Sequence, residues 1–256
     1  MTTTHRLDWK PIVVLTPLFS FLIALFFVKP IAQDPHYHLF ADERFFLIPY
    51  YQNVISNLIF IFVGFYAAVE IDFSKYSKRE NLYLLTLVIG IFFTGFGSMY
   101  YHLNPTTETL FWDRVPMSLG FAGFTSWILS KTIFLKIKDK NYDLYFFAFL
   151  FTLSLGSVVY WSYTELLQRG DLRFYYIAQF GSILTTLLVV LLYDKNLYPQ
   201  KACLSLFLFY VLAKVVEAYD RMAYDFSGHI ISGHALKHLT AGLGCFLFLY
   251  YLKKRS

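Results

Sequence analysis

The chain has 256 residues, of which 57% are hydrophobic and only 15% charged, with 29 Phe and 21 Tyr. A water-soluble domain carries nearer a quarter charged residues, so the composition argues against a soluble enzyme. The net charge of +5 gives no case for nucleic acid, because the basic residues are spread over the segments between apolar runs.

Eight apolar runs approach the roughly 20 residues that cross a bilayer core as a helix. They are 11–29, 54–72, 82–101, 115–135, 143–163, 174–193, 202–218 and 234–252. The expected fold class is all-α, a polytopic transmembrane helical bundle forming a single membrane domain over 1–256. The first run follows a basic start (Arg6, Lys10). Pro30 and "IAQDPHYHLF" after it show no small-residue cleavage site, so the run reads as a retained helix and not a signal peptide. The stretch 30–53 is the longest non-apolar segment and is too short to fold alone.

The third run ends in "GSMYYHLNPTTETLFWDR", residues 97–114. Ser98 lies one helical turn before His102, a turn containing Pro105 follows, and Asp113 precedes the fourth run. Taken singly, each has a bland explanation: Asp113 at a helix N-terminus complements the helix dipole, and Ser98 bonds back to its own helix. Gly90, Gly95 and Gly97 allow close helix packing; a transporter reading would instead make them breaks in a discontinuous helix. Cys203 and Cys245 fall within runs, form no CxxC pattern and are expected to pack in the core.

The last run opens with "GHALKHLTAG". His234 and His238 are four residues apart, hence on one helix face. They are either packing histidines or a pair that reaches one ion. His5, His36, His38 and His229 fall in the tail or in loops and are read as surface groups. Lys237 is expected to snorkel towards the interface, which argues against a retinal-binding lysine.

Of the 22 basic residues, Lys214 and Lys237 lie within runs. Lys29, Arg44, Arg114, Arg169, Arg173 and Arg221 fall on one side of the bundle, and the other fourteen on the side of the N-terminus. By the positive-inside rule both termini are cytoplasmic. The third run then ends, and the last begins, on the non-cytoplasmic side, which places His102, His234 and His238 at similar depth. Three nitrogens with a vacant fourth position form the ligand set of a catalytic zinc. An i, i+4 pair cannot ligate both faces of a haem. Zinc makes water acidic near pH ~7, Asp113 would accept the proton, and Ser98 would hydrogen-bond a developing oxyanion.

The motifs "NVISN" at 53–57, "GSMYYH" at 97–102, "WDRVPM" at 112–117 and "SGHALKHL" at 232–239 resemble those of the alkaline ceramidases. That family belongs to a superfamily of seven-helix membrane hydrolases that includes the adiponectin receptors. The resemblance implies a seven-helix core over 53–252, preceded by a tail and an extra helix in 1–30. It implies zinc on His102, His234 and His238, with Ser98 and Asp113 assisting hydrolysis of the ceramide amide bond to a sphingoid base and a fatty acid. The partners implied are the bilayer and a ceramide-like lipid substrate. The eukaryotic ceramidases also carry an acidic calcium-binding segment with a glutamate that aligns with Tyr50 here. Asp34, Asp42 and Glu43 offer oxygens without a calcium-ligand spacing, and the loop with Asp42, Glu43 and Arg44 would serve as a lid or a headgroup contact. A receptor of the same fold, keeping the zinc and hydrolysing little, is the alternative.

Overall fold

The computed structural model describes residues 8–42, 45, 47–137 and 141–255. His5, Arg6, Glu43, Arg44, Lys138 and Lys140 lie outside them. The described residues are helical, without strands. Helix α1 covers Lys10–Ala24, α2 Tyr51–Ser56, α3 Leu58–Glu70, α4 Lys78–Leu103, α5 Thr107–Ser130 and α6 Tyr142–Leu166. Helix α7, Arg173–Tyr176, continues through a π-helical turn at Ile177–Gly181 into α8, Ser182–Leu192. The chain ends with α9 (Gln200–Ala218), α10 (Asp220–Phe226) and α11 (Gly233–Arg255).

Among the described residues five spans are long and apolar enough to cross a membrane: Tyr51–Glu70, Lys78–Leu103, Tyr142–Leu166, Arg173–Leu192 and Gly233–Lys254. Helices α9 and α10 would together make a further span, bent by 78°. These helices bear out the all-α bundle but not eight uniform spans. The first run is helical only over Lys10–Ala24, about 22 Å at 1.5 Å per residue against a bilayer core of about 30 Å. Helix α5 has 24 residues and carries Glu108, Asp113 and Arg114 in its N-terminal third.

The junction that sets the site is the one between α4 and α5. Asn104 leaves the helical region before Pro105, as the residue preceding a proline tends to do. Thr106 then caps α5 reciprocally with Thr109, each hydroxyl accepting the other's backbone N–H at 3.2 and 3.0 Å. The expected start of this helix near 115 is therefore too late. Asp113 sits almost two turns inside α5, beyond the first turn in which a helix dipole acts, and the dipole explanation for it falls.

The α4–α5 pair is the most extensive helix contact in the bundle. A side chain at Gly97 would overlap the carbonyl oxygen of Trp112, and one at Gly90 would lie 2.5 Å from Gly120 N. These glycines permit close approach within a continuous helix. Below this crossing, Tyr83, Leu84, Trp127, Ile128, Phe248 and Leu249 fill the core at the end remote from His102. That end carries the ion pairs Glu70–Lys253, Glu80–Lys131 and Arg79–Asp143.

Candidate metal centre

Two helix ends bring the histidines together. His102 is in the last turn of α4, and His234 and His238 occupy the first two turns of α11. The start of α11 is tightly held. Ser232 Oγ accepts the Ala235 N–H at 3.0 Å, and Asp220 Oδ1 accepts the His234 N–H at 2.8 Å. A side chain on Gly233 would run into the Val216 carbonyl oxygen.

The three imidazoles are 1%, 5% and 3% exposed (His102, His234, His238). One ring nitrogen from each lies within 4.8 Å of the other two, and the ring centroids are 4.9–5.1 Å apart. Among the described residues this is the one group of three or more His, Cys, Asp or Glu side chains placed to hold a metal ion. Asp34 is exposed and bonds His36, and Asp42 Oδ2 accepts the Asn53 N–H at 2.8 Å; Glu43 lies outside the described residues.

The surroundings suit an ion. Ser56 Oγ donates to the Asn53 carbonyl at 3.2 Å and lies 2.9 Å from His238 Nδ1. It can therefore accept a hydrogen bond from an Nδ1–H, the tautomer that leaves the Nε2 lone pair for a metal, although Asn57 Nδ2 also lies 3.3 Å from that nitrogen. Asn57 Nδ2 reinforces the same corner, donating to the Asn53 carbonyl at 2.7 Å. His102 Nδ1 is buried without a hydrogen-bond partner, an omission a bound cation would satisfy. His234 Nε2 is 3.0 Å from Lys237 Nζ, so the cluster already attracts a cation. Binding through that nitrogen requires Lys237 to give up this contact while keeping Glu217.

Lys237 corrects an expectation. It does not snorkel outward; its Nζ is 2.9 Å from Glu217 Oε1, and Glu217 Oε2 accepts from Lys214 at 2.6 Å. The amine is thus held inside the bundle by Glu217 and His234. Arg114, counted from sequence among the loop charges, is 5% exposed and lies in the bundle wall.

Ser98 and Asp113 are 2% and 9% exposed and stand beside each other. The close approach of α4 at Gly97 to Trp112 puts the next residue, Ser98, against α5. Both groups line a cavity of about 700 Å³, together with His238, Lys237 and Arg114. At its polar end stand Ser98, Asp113 and the ionic groups. Its inner part is walled by Leu87, Ile91, Phe124, Leu206, Phe207 and Cys245. From Leu87 to Ser98 along α4 is about 16 Å at 1.5 Å per residue.

The segment before α2 closes the site from outside. The Phe40 ring lies 4.7 Å from His102 and 4.5 Å from His234, centroid to centroid. Ala41 N–H donates to Asp220 Oδ2 at 2.8 Å, and the Leu172 N–H donates to the Ile31 carbonyl at 2.8 Å. His38, expected at the surface, is half-buried, with Nδ1 2.9 Å from the Tyr101 hydroxyl and Nε2 3.2 Å from Thr107 Oγ1. Burial, followed by the nearby Arg114 charge, lowers its pKa below the ordinary value. Of the loop expected to serve as a lid or a headgroup contact, Glu43 and Arg44 lie outside the described residues, and Asp42 is buried.

No family model, no curated protein and no solved structure matches the chain.

Proposed function

We propose that this membrane protein is a zinc-dependent hydrolase that cleaves the amide bond of a ceramide-like lipid. The observation that carries the reading is a three-histidine cluster whose His238 lines a cavity of about 700 Å³ with a polar and an apolar part, beside a buried Ser–Asp pair. The motif resemblance to alkaline ceramidases supports the same reaction.

His102, His234 and His238 would hold the metal. Bound there, zinc acts as a Lewis acid and makes water acidic near neutral pH. Asp113 takes a proton from the attacking water on a carboxylate oxygen. It returns that proton to the amide nitrogen as the C–N bond breaks, so the products are a carboxylic acid and an amine. Ser98 donates a hydrogen bond to the carbonyl oxygen as negative charge develops there. Phe40 restricts bulk water, and the apolar walls take the acyl chain. By the loop charges both termini are cytoplasmic and the site faces the opposite side.

The test is incubation of the purified protein with a mixture of amide lipids, followed by mass spectrometry of the products. Release of a long-chain amine and a fatty acid supports the hydrolase. A protein that retains metal and releases neither is the receptor-like alternative.

A further inference from the structure

The proposed chemistry leaves cations in the cavity wall unused. Arg114, Lys214 and Lys237 all line the cavity, and the carboxylates inside the bundle that face them are Asp113 and Glu217. Glu217 is shared between both lysines. Asp113 stands beside Ser98 and forms no ion pair with these cations within 4.0 Å among the described residues. Asp34, at the rim, is exposed and taken up by His36.

Arg114 is the unusual member. Its guanidinium lies 4.1 Å from the Trp161 ring centroid and 4.8 Å from that of Tyr175. Nη2 donates to the neutral amide oxygen of Gln33 at 2.7 Å, whereas Nη1 is buried without a partner. No carboxylate among the described residues pairs with it within ion-pair distance. Aromatic faces attract a cation but do not satisfy an N–H donor, and a buried charge with an idle donor is costly unless something completes it. The second observation is independent and comes from another helix: Lys214 and Lys237 divide one carboxylate, leaving an excess positive charge on the α9–α11 side of the same cavity.

We infer that the polar end of the cavity binds an anionic group carried on an acyl chain, held by Arg114 from α5 and Lys214 from α9. The substrate is then an acyl amide bearing an acid, in place of a neutral ceramide-like lipid, or else the substrate is neutral and the anion is the carboxylate of the released fatty acid. The substrate half of this inference rests on the hydrolase reading, whereas the binding half does not.

The experiment uses the full chain in nanodiscs. Binding of dodecyl phosphate and of oleate is compared with binding of the uncharged oleoyl ethanolamide, for the parent, Arg114→Gln and Lys214→Gln. Charge-assisted contacts of this kind are worth roughly tenfold or more in affinity. The parent should therefore bind the two anions at least about tenfold more tightly than the neutral amphiphile. Each variant should lose most of that preference, with thermal unfolding in the same nanodiscs as the check on folding. Lys214 is exposed on α9, so its variant decides the matter if Arg114→Gln does not fold. A parent without anion preference, or a Lys214→Gln protein that keeps the full preference, overturns the inference.

Turnover separates the two sources. Faster cleavage of N-oleoylglycine than of oleoyl ethanolamide assigns the anion to the substrate. Equal cleavage, with inhibition by oleate that Lys214→Gln relieves, assigns it to the product. Charge-dependent binding without any hydrolysis leaves this inference standing and sinks the hydrolase reading instead.

Discussion

Ser56 and His238 are 182 positions apart in sequence, and the Ser56 hydroxyl lies 2.9 Å from His238 Nδ1. The contact joins α2 to α11 and orients an imidazole of the candidate metal centre from behind. Ser56 touches no ion itself, so its effect on a metal would act entirely through the ring it holds.

Ser56→Ala should therefore weaken metal binding by about 10- to 100-fold, the usual effect of removing an outer-shell partner. The helices should remain assembled. A chelator-competition titration on parent and variant measures this. An unchanged affinity would mean that the tautomer of His238 is set elsewhere.

Close packing at Gly97 gives a second expectation. Gly97→Ala would force α4 away from Trp112, at a cost of about 1–3 kcal/mol for overpacking, and would separate Ser98 from Asp113. At Gly156 on α6 an added methyl group would meet nothing within 4 Å; Gly156→Ala should instead stabilise by roughly 0.5–1 kcal/mol through helix propensity. Thermal unfolding of the two variants in the same detergent should shift in opposite directions.

The three histidines are legible in the sequence because their signal is local. His234 and His238 lie on one face of a recognisable run, and His102 closes another run that ends on the same side. The partners of those residues are not legible. Lys237 reads as a snorkelling lysine because its carboxylate, Glu217, lies 20 positions earlier on a helix that bends at Tyr219. "NVISN" stands out as a motif, yet the roles of Asn53, Ser56 and Asn57 emerge only when α2 meets α11. The start of α5 falls too late in the sequence reading because hydropathy weighs "TETLFWDR" as polar, whereas the Thr106–Thr109 cap after Pro105 starts the helix there. The weakness of α1 as a span has the same origin, since an apolar run reports composition and not where helical hydrogen bonding stops.

The connection after α1 depends on acid strength. Arg173 donates to the carbonyls of Leu25 and Val28 and is held by Asp171 at 2.7 and 2.8 Å. Burial raises the Asp171 pKa, but the hydrogen bonds and charge of Arg173 outweigh it, and the carboxyl is held below its ordinary value of 3.8. The folded value is depressed, so this contribution is complete above pH 3.8 and is lost as pH falls through the folded value. Hydrogen exchange in residues 25–31, corrected for its intrinsic rate, should rise in that acid window. Asp171→Asn should show the same rise at neutral pH, and protection identical to the parent would exclude the Asp171–Arg173 pair as the anchor.

Metal content should track the cluster. Replacing His102, His234 or His238 with alanine should lower bound zinc, which the parent is expected to hold at about one ion per chain. Because the ion would tie α4 to α11, its removal by chelator should also lower the unfolding temperature. Full zinc retention in the triple variant would put the ion elsewhere.

The most direct measurement is zinc content and amide-lipid turnover on the same preparation of Asp113→Asn. The substitution keeps the shape of the side chain but removes its capacity to take a proton as a carboxylate does. A general base contributes about 100- to 10,000-fold, so turnover should fall by that much while zinc stays bound. Ser98→Ala, measured beside it, should also keep zinc and lose roughly 100- to 1,000-fold, the effect of one oxyanion donor. Loss of zinc together with activity in Asp113→Asn would make Asp113 a ligand or its support. Turnover at the parent rate in both variants would contradict the hydrolase mechanism outright.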